Sequence, residues 1–107
     1  MTESVSPSAP TPEETQRYQE DFQKSLSLFQ KSFEEYNRPG IDPHKKEQFK
    51  KVLDETLQIM NQTANAALSQ AKQKKEASLN TDYEMFLTDP SSQNREKIVG
   101  DIQDLQR

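Results

Sequence analysis

The chain has 107 residues, room for one domain, with a net charge of -4 and 30% hydrophobic residues. Leu, Ile, Val and Phe together number 20, close to the level at which disorder competes with folding, so any core is thin. There is no cysteine, which excludes disulfides, thiolate metal sites and thiol nucleophiles, and the mild acidity argues against nucleic acid as a partner.

The apolar residues fall on helical stripes, which favours folded helices over a solvated coil. Residues 1–11 form the exception, with Ser4, Ser6, Ser8, Pro7 and Pro10 and little to bury, and are expected to be a flexible Ser/Pro-rich tail. Residues 12–107 are expected to be a single helical domain. No apolar run approaches the roughly 18 residues that a membrane span needs, and the N-terminus lacks the basic start and apolar core of a secretory signal.

Thr11-Pro12-Glu13-Glu14 reads as a helix start, with Thr11 as cap, Pro12 at the first helical position and Glu14 closing a capping box. The helix is predicted over 12–37. Its seam is Tyr18, Phe22, Leu26, Phe29, Phe33 and Tyr36, at steps of four, four, three, four and three. Leu28 lies off this seam.

Arg38-Pro39-Gly40-Ile41-Asp42-Pro43 then turns the chain. Pro39 cannot continue a helix, Gly40 takes a left-handed conformation at low cost, and Asp42-Pro43 restarts a helix as cap and first residue. The second helix is predicted over 43–75. Its stripe is Phe49, Val52, Leu53, Thr56, Leu57, Met60, Ala64, Ala67, Leu68 and Ala71, bulky near the corner and small beyond Met60. The polar, lysine-rich stretch 70–76 is expected to be its loosest part.

Thr81-Asp82-Tyr83-Glu84 has the form of another capping box before Met85, Phe86 and Leu87. Residues 81–88 read equally as a separate turn or as an extension of the second helix. Asp89-Pro90 repeats the cap-proline signature and predicts a last helix over 90–106, carrying Ile98, Ile102 and Leu105 with Val99 beside them. Gly100 inside it costs about 1 kcal/mol relative to alanine, which fits either close packing or a weak terminal helix. The fold class expected is all-α: an antiparallel helical hairpin with a third C-terminal helix, as a three-helix bundle or coiled-coil-like assembly.

Chemistry is hard to place on this pattern. His44 is the only histidine, beside Lys45 and Lys46 in the first turn of the second helix, and no phosphate-binding, HExxH or GxSxG motif occurs. The lysines along the second helix alternate with Glu47, Asp54, Glu55 and Glu76, as a solvated surface does. Neither an enzyme nor a cofactor or metal site is expected. Binding of another protein by helix packing is the most economical function, with self-association as a further expectation. The residues expected to carry it are Phe22, Leu26, Phe29 and Phe33 with Leu57, Met60, Ala64 and Ala67.

The layout of helix, Gly40 corner, Asp42-Pro43 and a second helix ending in Ala64, Ala66, Ala67 and Leu68 resembles the small helical-hairpin chaperones of bacterial type III secretion. Leu87-Thr88-Asp89-Pro90-Ser91, followed by Ile98 and Ile102, resembles the corner of the needle subunits that such chaperones hold. The last helix ends sooner than a needle subunit's would, and the chaperones do not usually carry an extra C-terminal helix or a proline-rich tail. The resemblance implies a chaperone or adaptor in the bacterial cytoplasm that shields an amphipathic helix of a secretion substrate. The alternative it implies is a secreted or structural component of the apparatus, exported through its N-terminal tail.

Overall fold

The computed structural model describes residues 11–106, so the expected tail, apart from Thr11, lies outside the described residues. Four α-helices follow one another: α1 Pro12–Tyr36, α2 Pro43–Ala67, α3 Gln70–Thr88 and α4 Ser92–Gln106. The fold is all-α, with no strand among the described residues.

Two of the three starts flagged by proline, at Pro12 and Pro43, form as the residues dictate. Thr11 Oγ1 accepts from the Glu14 amide (3.1 Å) while the Thr11 amide donates to Glu14 Oε1 (3.0 Å), a complete capping box. At the other end of α1, Asn37 Nδ2 donates to the Phe33 carbonyl (2.8 Å), and Pro39 stops the ladder. Gly40 then takes φ +76°, a conformation that strains any residue with a Cβ. Asp42 caps α2, its carboxylate accepting from the His44 amide at 3.4 Å.

Two sequence expectations need correction. The second helix does not run to residue 75: it ends at Ala67, and the chain reverses through Leu68 and Ser69 with no glycine or proline at the turn. Ser69 supplies the cap there, accepting from the Lys72 amide (3.3 Å), and Gln73 Nε2 satisfies the Leu68 carbonyl (2.8 Å). Residues 81–84 consequently lie inside α3, where Thr81 bonds back to the Ala77 carbonyl and does not cap. Burial of Leu79, Tyr83 and Phe86 in the core shared with α1 and α2 outweighs the local preference for one long helix. Likewise the last helix begins at Ser92, not 90. Ser91 Oγ accepts from the Asn94 amide (3.2 Å), while Asp89 ends α3 and its carbonyl accepts from Asn94 Nδ2 (2.8 Å).

The three-helix expectation therefore becomes an up-down-up-down four-helix bundle made of two consecutive hairpins. Within each hairpin, α1 with α2 and α3 with α4, the backbones approach closely, whereas α2 against α3 and α1 against α4 approach at fewer places. One core fills the space between the hairpins: Phe22, Leu26, Phe29 and Phe33 from α1, and Leu53, Leu57, Met60 and Ala64 from α2. It is completed by Leu79, Tyr83 and Phe86 from α3, and Ile98, Ile102 and Leu105 from α4. The buried Thr56 and Thr63 hydroxyls bond back to the carbonyls of Val52 (2.7 Å) and Ile59 (2.8 Å), so α2 buries both without an unmet donor.

Candidate interaction surface

The face expected to bind a partner is the inner face of the α1–α2 hairpin. Phe22, Leu26, Phe29, Phe33, Leu57, Met60 and Ala64 are all buried, Leu57 the most exposed of them at 8%. Ala67, at the end of α2, is half-buried. In the closed bundle these seven residues are covered by α3 and α4 and face no external partner. The sequence stripe located the face correctly, and the chain's own second hairpin occupies it.

Aromatic rings join the hairpins. Tyr83 meets Phe29 edge-on at 5.6 Å between ring centres, and Phe86 meets Phe33 at 5.1 Å and Tyr36 at 6.1 Å in the same manner. Edge-to-face pairs add about 0.5–1.5 kcal/mol each beyond area burial. Met85, next to Phe86 in the chain, is 45% exposed.

The same seam carries polar groups that sequence reasoning missed. Glu76 is 4% exposed on the α2-facing side of α3. Asn80 Nδ2 donates to its Oε2 (3.0 Å), and Asn61 of α2, with its amide nitrogen turned towards the carboxylate, donates to Oε1 (3.0 Å). Burial raises the pKa of Glu76 despite these donors, because desolvation outweighs the hydrogen bond from Asn80. One helical stripe in the sequence, Glu76-Leu79-Tyr83-Phe86, would have placed this carboxylate on a buried face. The stretch 70–76 is thus anchored at its end and not uniformly loose.

Tyr83 donates its hydroxyl to Asp54 Oδ1 (2.8 Å), and Lys50 holds the other oxygen of Asp54 at 2.8 Å. Burial, then the adjacent carboxylate, pushes the Tyr83 phenol upward, so it stays a donor throughout the physiological range. Between α3 and α4, Asp101 Oδ2 is enclosed without a donor to accept from. Burial first, then the hydrogen bond and charge of Asp82, with Asp104 adding less, push Asp101 up to about 7. When Asp101 holds a proton it can donate it towards the neighbouring Asp82 carboxylate, since two adjacent carboxylates do not both ionise cheaply.

Outside the seam, a cleft of about 700 Å³ lies where the α1–α2 corner meets the α3–α4 corner, lined by Tyr36, Arg38, Ile41, Lys46 and Leu87 among others. Lys46 Nζ sits 4.9 Å over the Tyr36 ring. His44 is exposed at the start of α2, its Nε2 3.5 Å from Gln48 Nε2. Leu28, off the α1 seam as the sequence spacing indicates, is 49% exposed, and Ile59 and Val99 are also open to solvent. Among the described residues, no cluster of three His, Asp or Glu side chains is placed to hold a metal ion, and no helix is long and apolar enough to cross a membrane.

Compared with protein-family models, curated proteins and solved structures, the chain matches none. Its class is defined by the fold: a small four-helix bundle of two hairpins.

Proposed function

We propose that the protein is a non-enzymatic helix-packing module whose α1–α2 face receives an amphipathic helical hairpin. One observation carries this reading. That face already holds such a hairpin, α3–α4, through Phe22, Leu26, Phe29, Phe33, Leu57, Met60 and Ala64. Its geometry suits an occupant with an aromatic-aliphatic stripe at helical spacing.

The finer form of the proposal is a cytoplasmic bacterial chaperone or adaptor for a type III secretion substrate. The likeness of 87–91 to a needle-subunit corner supports it, since the segment seated on the face would then imitate the client. In this role the chain shields the client's apolar stripe before export, and α3–α4 leaves the face to admit it.

Co-expression of the full chain with a type III needle subunit tests the proposal. A soluble complex of defined mass by light scattering is expected, with Tyr83→Ala, which loosens α3, capturing more of the subunit than the wild type. Needle polymerisation that proceeds alike with and without the chain would overturn the secretion reading.

A further inference from the structure

The turn between α2 and α3 differs in kind from the other two. The first corner holds Pro39 and Gly40 at φ +76°, and the last holds Asp89-Pro90-Ser91. Between α2 and α3 the sequence reads Ala66-Ala67-Leu68-Ser69-Gln70-Ala71-Lys72-Gln73, composed almost wholly of good helix formers with no residue that forbids a helix. Only Leu68 and Ser69 leave helical geometry, Leu68 at φ -97°, ψ 157° and Ser69 at φ -64°, ψ 160°. The break is held by the Ser69 cap, the Gln73–Leu68 hydrogen bond and the packing of α3–α4 on α1–α2.

If these two residues turn helical, 43–88 becomes one uninterrupted helix. Its inward stripe then runs on through the junction as Ala64, Leu68, Lys72, Glu76, Leu79, Tyr83 and Phe86, at steps of four, four, four, three, four and three, with Leu68 and Lys72 half-buried. The α2–α3 contacts also fall nearly symmetrically about Ser69: Asn61 lies against Asn80, and Asp54 against Tyr83. Two such long helices laid antiparallel about a two-fold axis near Ser69 would bring Asn61 of one chain to Asn80 of the other, and Asp54 to Tyr83. The packing of α3–α4 on α1–α2 would be regained between chains, and only the turn's own Ser69 cap and Gln73–Leu68 hydrogen bond would be given up.

We infer that this protein exchanges its α3–α4 hairpin with a second copy of itself, opening at Leu68–Ser69 to form a dimer in which 43–88 is a single helix. The occupant of the α1–α2 face is then the partner's α3–α4, complementary because it is the same sequence. The inference extends the proposed helix-packing function by naming one partner, and it rests on the same face. Hinges that are short and helix-favouring are where such exchange is expected.

Two substitutions at the hinge act in opposite directions. Ser69→Ala removes the cap and favours the continuous helix. Ser69→Pro matches the observed φ of -64° and keeps Leu68 extended, as a residue before proline prefers, but forbids a helix through the turn. Light scattering across a concentration series should place the Ser69→Ala dimer midpoint at least fivefold below that of the wild type, and Ser69→Pro should remain monomeric. The absence of cysteine gives a second readout. Asn61→Cys and Asn80→Cys chains, refolded together and treated with a short bis-maleimide, should yield a covalent heterodimer, and neither variant alone should.

A dimer that persists unchanged in Ser69→Pro, or a mixture that never cross-links between 61 and 80, would overturn the exchange. Client capture by the Ser69→Pro monomer would at the same time leave the helix-packing function standing, so the two failures are separable.

Discussion

Phe86→Ala should be the most informative single truncation. Phe86 is 2% exposed, and its ring closes two edge-to-face pairs, with Phe33 and Tyr36, across the seam between the hairpins. Removing a buried phenylalanine costs about 3–5 kcal/mol through lost transfer energy and the cavity left behind. The upper part of that range is expected here, because the aromatic neighbours, both fixed on α1, collapse poorly into the void. A small domain melts roughly 5 °C lower per kcal/mol, so Phe86→Ala should lower Tm by about 20 °C. Met85→Ala is the internal control: one residue away and 45% exposed, it should shift Tm by about 3 °C or less. Thermal unfolding followed by circular dichroism at 222 nm measures both. Equal shifts for the two variants, or a Phe86→Ala loss under about 5 °C, would refute the placement of α3 on the α1–α2 face.

Gly100→Ala should stabilise the protein by about 0.5–1 kcal/mol, because a Cβ there meets nothing within 4 Å and the residue lies inside α4; a lower Tm would instead point to close packing. Gly40→Val should cost at least about 1–2 kcal/mol, despite open space around it, since φ +76° strains a β-branched residue. An unchanged denaturation midpoint would remove that corner's structural role. For the α3–α4 interface the pH dependence has a definite sign. Asp101 titrates near about 3.9 when unfolded and at about 7 when folded, so its stabilisation is full below the unfolded value and is lost as pH rises through about 7. Glu76, also raised, acts in the same direction from its ordinary value upward. Tm should therefore fall between pH 5 and pH 8, and Asp101→Asn should flatten most of that slope; a slope unchanged in Asp101→Asn would exclude the proton on Asp101.

The parts of the fold that announced themselves did so through residues with one structural use. Thr11-Pro12-Glu14 and Asp42-Pro43 could hardly serve except as helix starts, and Pro39-Gly40 could hardly continue a helix. The seam Phe22-Leu26-Phe29-Phe33 likewise gave the buried face of α1. The turn at Leu68–Ser69 could not be found this way, because no residue there forbids a helix; the burial of Leu79, Tyr83 and Phe86, with the Ser69 cap and the Gln73–Leu68 hydrogen bond, makes reversal favourable. Asp89-Pro90 misplaced the start of α4 for a related reason, since Ser91, one residue further on, offered an equally good cap with Asn94 as its partner. For the candidate site, spacing identified which residues share a face but not what covers it. Whether a stripe meets its own chain or another is decided by chain reversal, and that was the one feature hidden in a run of helix formers.

Native-state hydrogen exchange of the full chain tests most directly the central claim, that α3–α4 is a separable occupant of the α1–α2 face. The account predicts two cooperative classes of amide: 70–106 opening together at lower free energy, and the inner turns of α1 and α2 protected more strongly. Tyr83→Ala should widen the gap between them. A single class opening only with global unfolding, in the wild type and in Tyr83→Ala alike, would contradict it.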